Sequence, residues 1–250
     1  MTRLLILGGT GEAAALAEAV QQRIGDRIET ISSLAGRTRR PCAPPGEVRT
    51  GGFGGPDGLV RYLRETRIDI VVDATHPYAT QISANARKAC EAAGVPRLLL
   101  LRPPWEMQAG DNWIVVSDAA EAARRVPEFG SRVFLTLGSG DVSAFAGLAG
   151  VFLLLRVAEA PDRPPLPGAE WIAGRGPFRE ADERRLLTEW RIDLLVSRNS
   201  GGTATVGKIA AARGLAIPVI MLERPAPQPG ACMCNIEETV EWIAGKLAWR

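Results

Sequence analysis

The sequence predicts an α/β protein of two Rossmann-like domains, each a mostly parallel sheet covered by helices, facing a shared cleft. Three observations predict it. Short apolar runs alternate with helix-forming segments along all 250 residues, which is the pattern of βαβ units. A glycine cluster follows the first apolar run and opens a helical segment, LLILGGTGEAAALAEAV from Leu4 to Val20. The alternation breaks after AAEAARRVPEFG and restarts, so the domains are expected over residues 1–127 and 128–250. A chain of this length can bury two small cores without disulfides or metals.

In order, Leu4 to Leu7 reads as a strand, Gly11 to Ile24 as a helix and Arg27 to Leu34 as the second strand. Leu59 to Thr66 suits a helix, Ile68 to Asp73 a strand, Asn85 to Ala93 a helix and Pro96 to Leu101 another strand. Strands at Trp113 to Val116, Val133 to Leu137, Val151 to Val157, Glu170 to Ala173, Ile192 to Ser197 and Pro218 to Leu222 continue the series. Helices are expected over Arg179 to Trp190, Val206 to Arg213 and Glu237 to Leu247, the last with Trp242 and Leu247 as packing residues.

Composition excludes several classes. With 46% hydrophobic and 23% charged residues the chain is an ordinary globular protein, not a disordered one. A net charge of +2 offers no case for nucleic acid as a partner. VFLLLRVA is far too short to span a bilayer, no membrane partner is expected, and no basic leader precedes an apolar signal segment. Cys42, Cys90, Cys232 and Cys234 lack the spacing of a disulfide framework, and the Cys-Met-Cys pair has no second close pair to complete a metal site. Reduced thiols in a cytoplasmic protein without a metal are expected.

The chemistry begins at the glycine turn. Gly9-Thr10-Gly11-Glu12-Ala13-Ala14 fits the G-x-G-x-x-G/A form, with Gly8 adding flexibility, directly after a strand and at the start of a helix. Small residues there let the backbone approach a pyrophosphate, whose oxygens meet unpaired amides at the helix amino end. The next strand ends in Ser32 and Ser33 and is followed by Arg37, Arg39 and Arg40, with no carboxylate to hold a free ribose hydroxyl. Ser and Arg donate to a ribose phosphate, so the expected cofactor is NADPH rather than NADH, with Arg37 as the first choice for the phosphate contact. DIVVDATHPY brings Asp73, Ala74, Thr75, His76 and Tyr78 to a strand end; His76, the single histidine, can orient a carboxylate or transfer a proton, or simply cap the loop. Gly138-Ser139-Gly140 and Ser197 to Gly202 are later strand-end loops rich in small residues and donors, and Lys208 lies just beyond the second. Either solvent exposure or an anionic ligand accounts for that lysine.

Taken together, LILGGTGEA at Leu5 to Ala13, DATHPYA at Asp73 to Ala79, LRPPW at Leu101 to Trp105, LGSGDVSAF at Leu137 to Phe145, GRGPF at Gly174 to Phe178, SRNSGG at Ser197 to Gly202 and PVIMLERP at Pro218 to Pro225 resemble the precorrin-6A reductase family, including its cobalt-precorrin counterpart. The resemblance covers nearly the whole chain. It implies an NADPH-dependent reduction of a tetrapyrrole, precorrin-6A to precorrin-6B, by hydride delivery to the C18=C19 system. It further implies that Gly8, Gly9, Thr10, Gly11, Glu12, Ser32, Ser33, Arg37, Asp73, Ala74 and Thr75 serve the cofactor. His76, Tyr78, Ser139, Arg198, Asn199, Ser200, Gly201, Gly202 and Lys208 would serve the substrate, with His76 and Tyr78 as candidates for orientation or proton delivery. Trp105 either borders the macrocycle or packs in the core. SRNSGG departs from the family's pattern by carrying Arg198 where lysine is expected; the charge survives, but guanidinium has a different donor geometry. A metal-free or a cobalt-containing substrate, another anionic metabolite, and a non-enzymatic NADPH-binding sensor module are the alternatives. Transient contacts with neighbouring pathway enzymes fit the resemblance, and patterning leaves monomer and dimer open.

Overall fold

The computed structural model describes residues 1–36, 44–159 and 166–247. Arg37, the favoured phosphate contact, lies outside the described residues. The chain divides into two compact units: Met1–Pro103 with Pro225–Arg250, and Pro104–Arg224.

The first unit runs β1 (Thr2–Leu7), α1 (Gly11–Arg23), β2 (Ile28–Leu34), β3 (Glu47–Thr50), α2 (Gly55–Glu65), β4 (Ile70–Asp73), α3 (Thr80–Ala93) and β5 (Arg97–Leu100). The second runs β6 (Trp113–Val116), α4 (Ala119–Phe129), β7 (Arg132–Thr136), β8 (Phe152–Val157), β9 (Glu170–Ala173), α5 (Glu180–Glu189), β10 (Leu194–Arg198), α6 (Gly207–Gly214) and β11 (Val219–Leu222). The chain then returns to the first unit with β12 (Ala231–Met233) and α7 (Ile236–Leu247). Each unit holds one six-stranded sheet, ordered β12-β5-β4-β1-β2-β3 and β6-β11-β10-β7-β8-β9. Every strand pairing among the described residues is parallel, for example Leu7 with Ser33 and Leu7 with Asp73.

The fold is the expected α/β class, and the run LLIL shows why. Leu4 and Ile6 point to the face covered by α1 and α7, Leu5 and Leu7 to the face covered by α2 and α3, so both sides of β1 are buried. A strand covered on both faces reads as a continuous apolar run rather than an alternating one. In the second sheet Phe134, Leu154, Leu195 and Met221 meet Leu187 of α5 and Ile209 and Ala212 of α6. Trp242 and Leu247 pack against the core of the first unit.

The units divide elsewhere than at residue 127. β6 pairs with β11, not with the first sheet, and β12 pairs with β5. A parallel partner in the same sheet needs a crossover, usually a helix, and no helix lies between Leu100 and Trp113 or between Leu222 and Ala231. The chain leaves one sheet for the other at those two helix-free connections.

Candidate functional site

β1 ends at the carboxyl edge of its sheet between β2 and β4, where an α/β sheet carries its ligand. There the Gly8 amide donates to the Ser33 carbonyl at 2.9 Å and the Ala74 amide to the Leu7 carbonyl at 2.9 Å. Three loops that the sequence separates are thereby joined. Thr10 caps α1: its Oγ1 accepts from the Ala13 amide at 3.1 Å and donates to the Ala74 carbonyl at 2.8 Å. Gly9 adopts φ 101°, which disfavours any side chain, and a Cβ at Gly9 or Gly11 would meet nothing within 4 Å. The turn is therefore open, and the first-turn amides of Gly11 and Glu12 have no carbonyl one turn earlier to bond. A dinucleotide pyrophosphate fits this cradle of open glycines and amides. Glu12, which would repel it, has its carboxylate held by Arg102 at 2.6 Å.

At the end of β2 the two serines differ. Ser32 is buried with a hydroxyl that finds no partner among the described residues, whereas Ser33 Oγ accepts from Arg49 Nη1 at 2.8 Å. Glu29 sits at the other end of the strand and is bound by Arg3 at 2.7 Å, a pairing that lowers the glutamate's pKa. No carboxylate of β2 therefore stands at the ligand edge. Arg49 escaped the sequence reading; its only signal was one basic residue before the glycines of EVRTGG, in a strand too short to register as a period.

Asp73 ends β4 and is fully buried. Its Oδ1 accepts from the Thr75 amide at 3.2 Å and from Thr75 Oγ1 at 2.7 Å, and Thr75 Oγ1 lies 3.2 Å from Ser83 Oγ. Oδ2 faces Arg97 Nη1 at 3.7 Å, and neither atom has a hydrogen-bond partner among the described residues. A carboxylate so enclosed shapes the loop. Cys90 shares this interior, and burial pushes its thiol up to about 12, so it stays protonated and inert. The His76 and Tyr78 rings are 5.8 Å apart, and the Tyr78 amide donates to His76 Nδ1 at 3.3 Å. A neutral His76 therefore carries its proton on Nε2. Thr75, His76, Thr80, Ser83 and Gln228 help line a cavity of about 20 Å³, which has room for a water and none for a ring.

In the second unit β10 delivers Arg198, whose Nε donates to Asp141 Oδ2 at 2.8 Å. Its Nη1 lies 2.8 Å from where a Cβ on Gly138 would stand, so a side chain there would push the guanidinium aside. Asn199 is a clamp: Oδ1 accepts from the Trp105 amide at 2.8 Å and Nδ2 donates to the Trp105 carbonyl at 3.0 Å. Trp105 Nε1 donates to the Gly202 carbonyl at 2.8 Å. The Asn199 carboxamide thereby fixes the backbone of Trp105, whose ring packs against the core. Gly201 and Gly202 take φ 67° and 75°, Ser200 is buried and Ser139 is exposed.

Lys208 stands in the first turn of α6 and is buried, its Nζ 5.6 Å from the centre of the Trp105 ring. Burial, then Arg156 and Arg198, bring its pKa down to about 7, opposed by Glu183. Glu183 itself is bound in bidentate fashion by Arg156 at 2.7 and 2.9 Å. A buried cation at a helix amino end is doubly unfavourable, so Lys208 costs stability. The sign follows from its depressed pKa: below pH 7 both folded and unfolded chains hold the proton and the cost is complete. From about pH 7 to 10.5 the folded protein sheds it first, and stability is regained. Lys208→Met is expected to raise unfolding free energy by about 1–3 kcal/mol at pH 6, with the gain vanishing by pH 10.5 in urea titrations. A gain independent of pH would show that Lys208 is not buried as a charge.

The match to known proteins is end to end. Residues 3–244 fit the model of a family described as precorrin-6x reductase CbiJ/CobK. The chain belongs to the precorrin-6x reductase family. Within it, the chain is 49% identical over 249 residues to a protein of Rhodococcus erythropolis named precorrin-6A reductase, covering 100% of this chain and 97% of the relative. A Mycobacterium tuberculosis protein of the same name is 48% identical, with 98% of each chain covered. A Salmonella typhimurium protein named cobalt-precorrin-6A reductase is 33% identical over 90% of this chain and 88% of that one. A solved structure titled CobK precorrin-6A reductase superposes with a TM-score of 0.92 at 41% identity, covering 98% of this chain and 97% of the other. Family members of both names thus match it over about nine tenths of its length or more.

Proposed function

We propose that the chain is an NADPH-dependent reductase of the tetrapyrrole precorrin-6A, forming precorrin-6B in cobalamin biosynthesis by hydride transfer to the C18=C19 system. The observation that carries this is the full-length match at 49% identity to a relative named for that activity. The metal-free substrate is preferred over the cobalt form because relatives named for the former are 42–49% identical to this chain and those named for the latter 27–33%. No helix among the described residues is long and apolar enough to cross a membrane, in keeping with a cytoplasmic enzyme.

NADPH, when bound, supplies the hydride. Gly9, Gly11 and the first amides of α1 would hold its pyrophosphate, with Ser33 at the ribose. The backbone of residues 73–75, fixed through Asp73 and Arg97, would border the turn. In the second unit Lys208 and Arg198 would supply cationic donors for the substrate's carboxylates, and Ser139 a hydroxyl. Reduction adds one hydride and one proton; His76 and Tyr78 are the candidates in the first unit for orienting the substrate or passing the proton on, solvent being the other source.

The test is the nicotinamide absorbance of the folded protein with authentic precorrin-6A and, separately, its cobalt counterpart. One NADPH consumed per precorrin-6A reduced, and slower turnover of the cobalt form, is expected. Consumption with neither overturns the activity; faster turnover of the cobalt form reverses the substrate choice.

A further inference from the structure

We infer that Arg49 selects NADPH over NADH by receiving the 2′-phosphate of its adenosine ribose; this rests on the NADPH reading above. In a sheet of this kind the ribose lies over the carboxyl end of the second strand, and the group presented there decides between hydroxyl and phosphate. Arg49 is in β3, in register with Ser33 of β2, and Ser33 is joined to the glycine turn through the Gly8 amide. The guanidinium is held rigidly. Nη1 donates to Ser33 Oγ at 2.8 Å and to the Gly51 carbonyl at 3.0 Å, and Nη2 donates to the Gly52 carbonyl at 3.1 Å. Its Cζ lies 3.8 Å from the Phe53 ring centre and 5.1 Å from that of Tyr62.

Of the five N–H groups of a guanidinium, these contacts use three. The Nε proton and one Nη2 proton remain without a partner among the described residues, and Ser33, accepting from Arg49, keeps its own hydroxyl proton to donate. Two guanidinium donors and a hydroxyl on one strand edge match a phosphate monoester, and no carboxylate of β2 competes, since Glu29 is bound by Arg3. Among the described residues the Arg49 charge is also unneutralised: its partners there are a hydroxyl, two carbonyls and aromatic faces, none of them anionic. A cation ordered in advance and left unpaired loses little entropy on meeting its anion.

The experiment is fluorescence titration of NADPH and of NADH into wild type, Arg49→Gln and Arg49→Lys, without tetrapyrrole. For Arg49→Gln the NADPH Kd should rise by about 10- to 100-fold and the NADH Kd should stay within about twofold, the latter serving as the control for folding. Arg49→Lys keeps the charge without the fork and should fall between, which also covers a glutamine variant that fails to fold. A variant that keeps the wild-type NADPH to NADH ratio, or weakens both cofactors equally, overturns the inference and makes Arg49 a support for the Phe53 loop. Wild type binding both cofactors alike would instead overturn the NADPH reading, and the inference with it.

Discussion

Gly11→Val loses binding of both NADPH and NADH by roughly 100-fold while the protein remains folded, because about 3 kcal/mol of overpacking lands on the ligand rather than on the chain. The structure supplies the separation. A Cβ at Gly11 meets nothing within 4 Å and the residue has no left-handed backbone to defend, so a side chain there is tolerated until a pyrophosphate arrives. Urea unfolding should move by no more than about 0.5 kcal/mol, as for other exposed substitutions. Titration of the two dinucleotides then reads the binding loss directly. Unaltered affinity would mean that the pyrophosphate does not sit on this turn. The pattern also differs from that of Arg49, whose loss should separate the two cofactors rather than remove both.

Arg97→Met should cost about 3–5 kcal/mol of stability, since it strands a buried carboxylate. Asp73 is fully enclosed, and among the described residues its Oδ2 has only the Arg97 guanidinium, 3.7 Å away, to balance it. Arg97 Nη2 also donates to the Pro229 carbonyl at 2.6 Å, tying the returning segment to β5. Removing both charges with Arg97→Met and Asp73→Asn should recover more than half of the loss, because the penalty belongs to the unpaired ion and not to the absence of the pair. Equilibrium urea curves for the two single variants and the double variant give the comparison. A single-variant loss under about 1 kcal/mol would show that the pair is solvated and does not anchor the DATHPY loop.

Much of this was legible in the chain. LLIL followed by GGTGE identifies a buried strand, a capped helix and an open turn because each rests on local physics: burial on both faces, a threonine side chain that satisfies a first-turn amide, and glycines that yield room. The α/β class followed from the same alternation. Less legible were the partners. Asn199 read as a ligand donor, and the structure adds that its carboxamide clamps Trp105, 94 residues away; no periodicity reports such a pairing. Arg37 is a visible candidate because it is near Ser33 in sequence, whereas Arg49 is not, because register across β2 and β3 cannot be read from the chain.

The sequence by itself determined the class of fold, the nature of nearly every element and, through its motifs, the family. Only the tertiary structure decided where the two units divide and which polar groups are free. Strand propensity and burial act within a few residues, so they mark β6 and β12 as strands without saying which sheet will bond them. That choice is made by hydrogen bonds to β11 and β5, more than a hundred residues away in the chain. The same holds for charge: Arg49, Asp73 and Lys208 are one letter each in sequence, and only their enclosure and neighbours make the first a ready anion receptor, the second an anchor and the third a cation held against the stability of the fold.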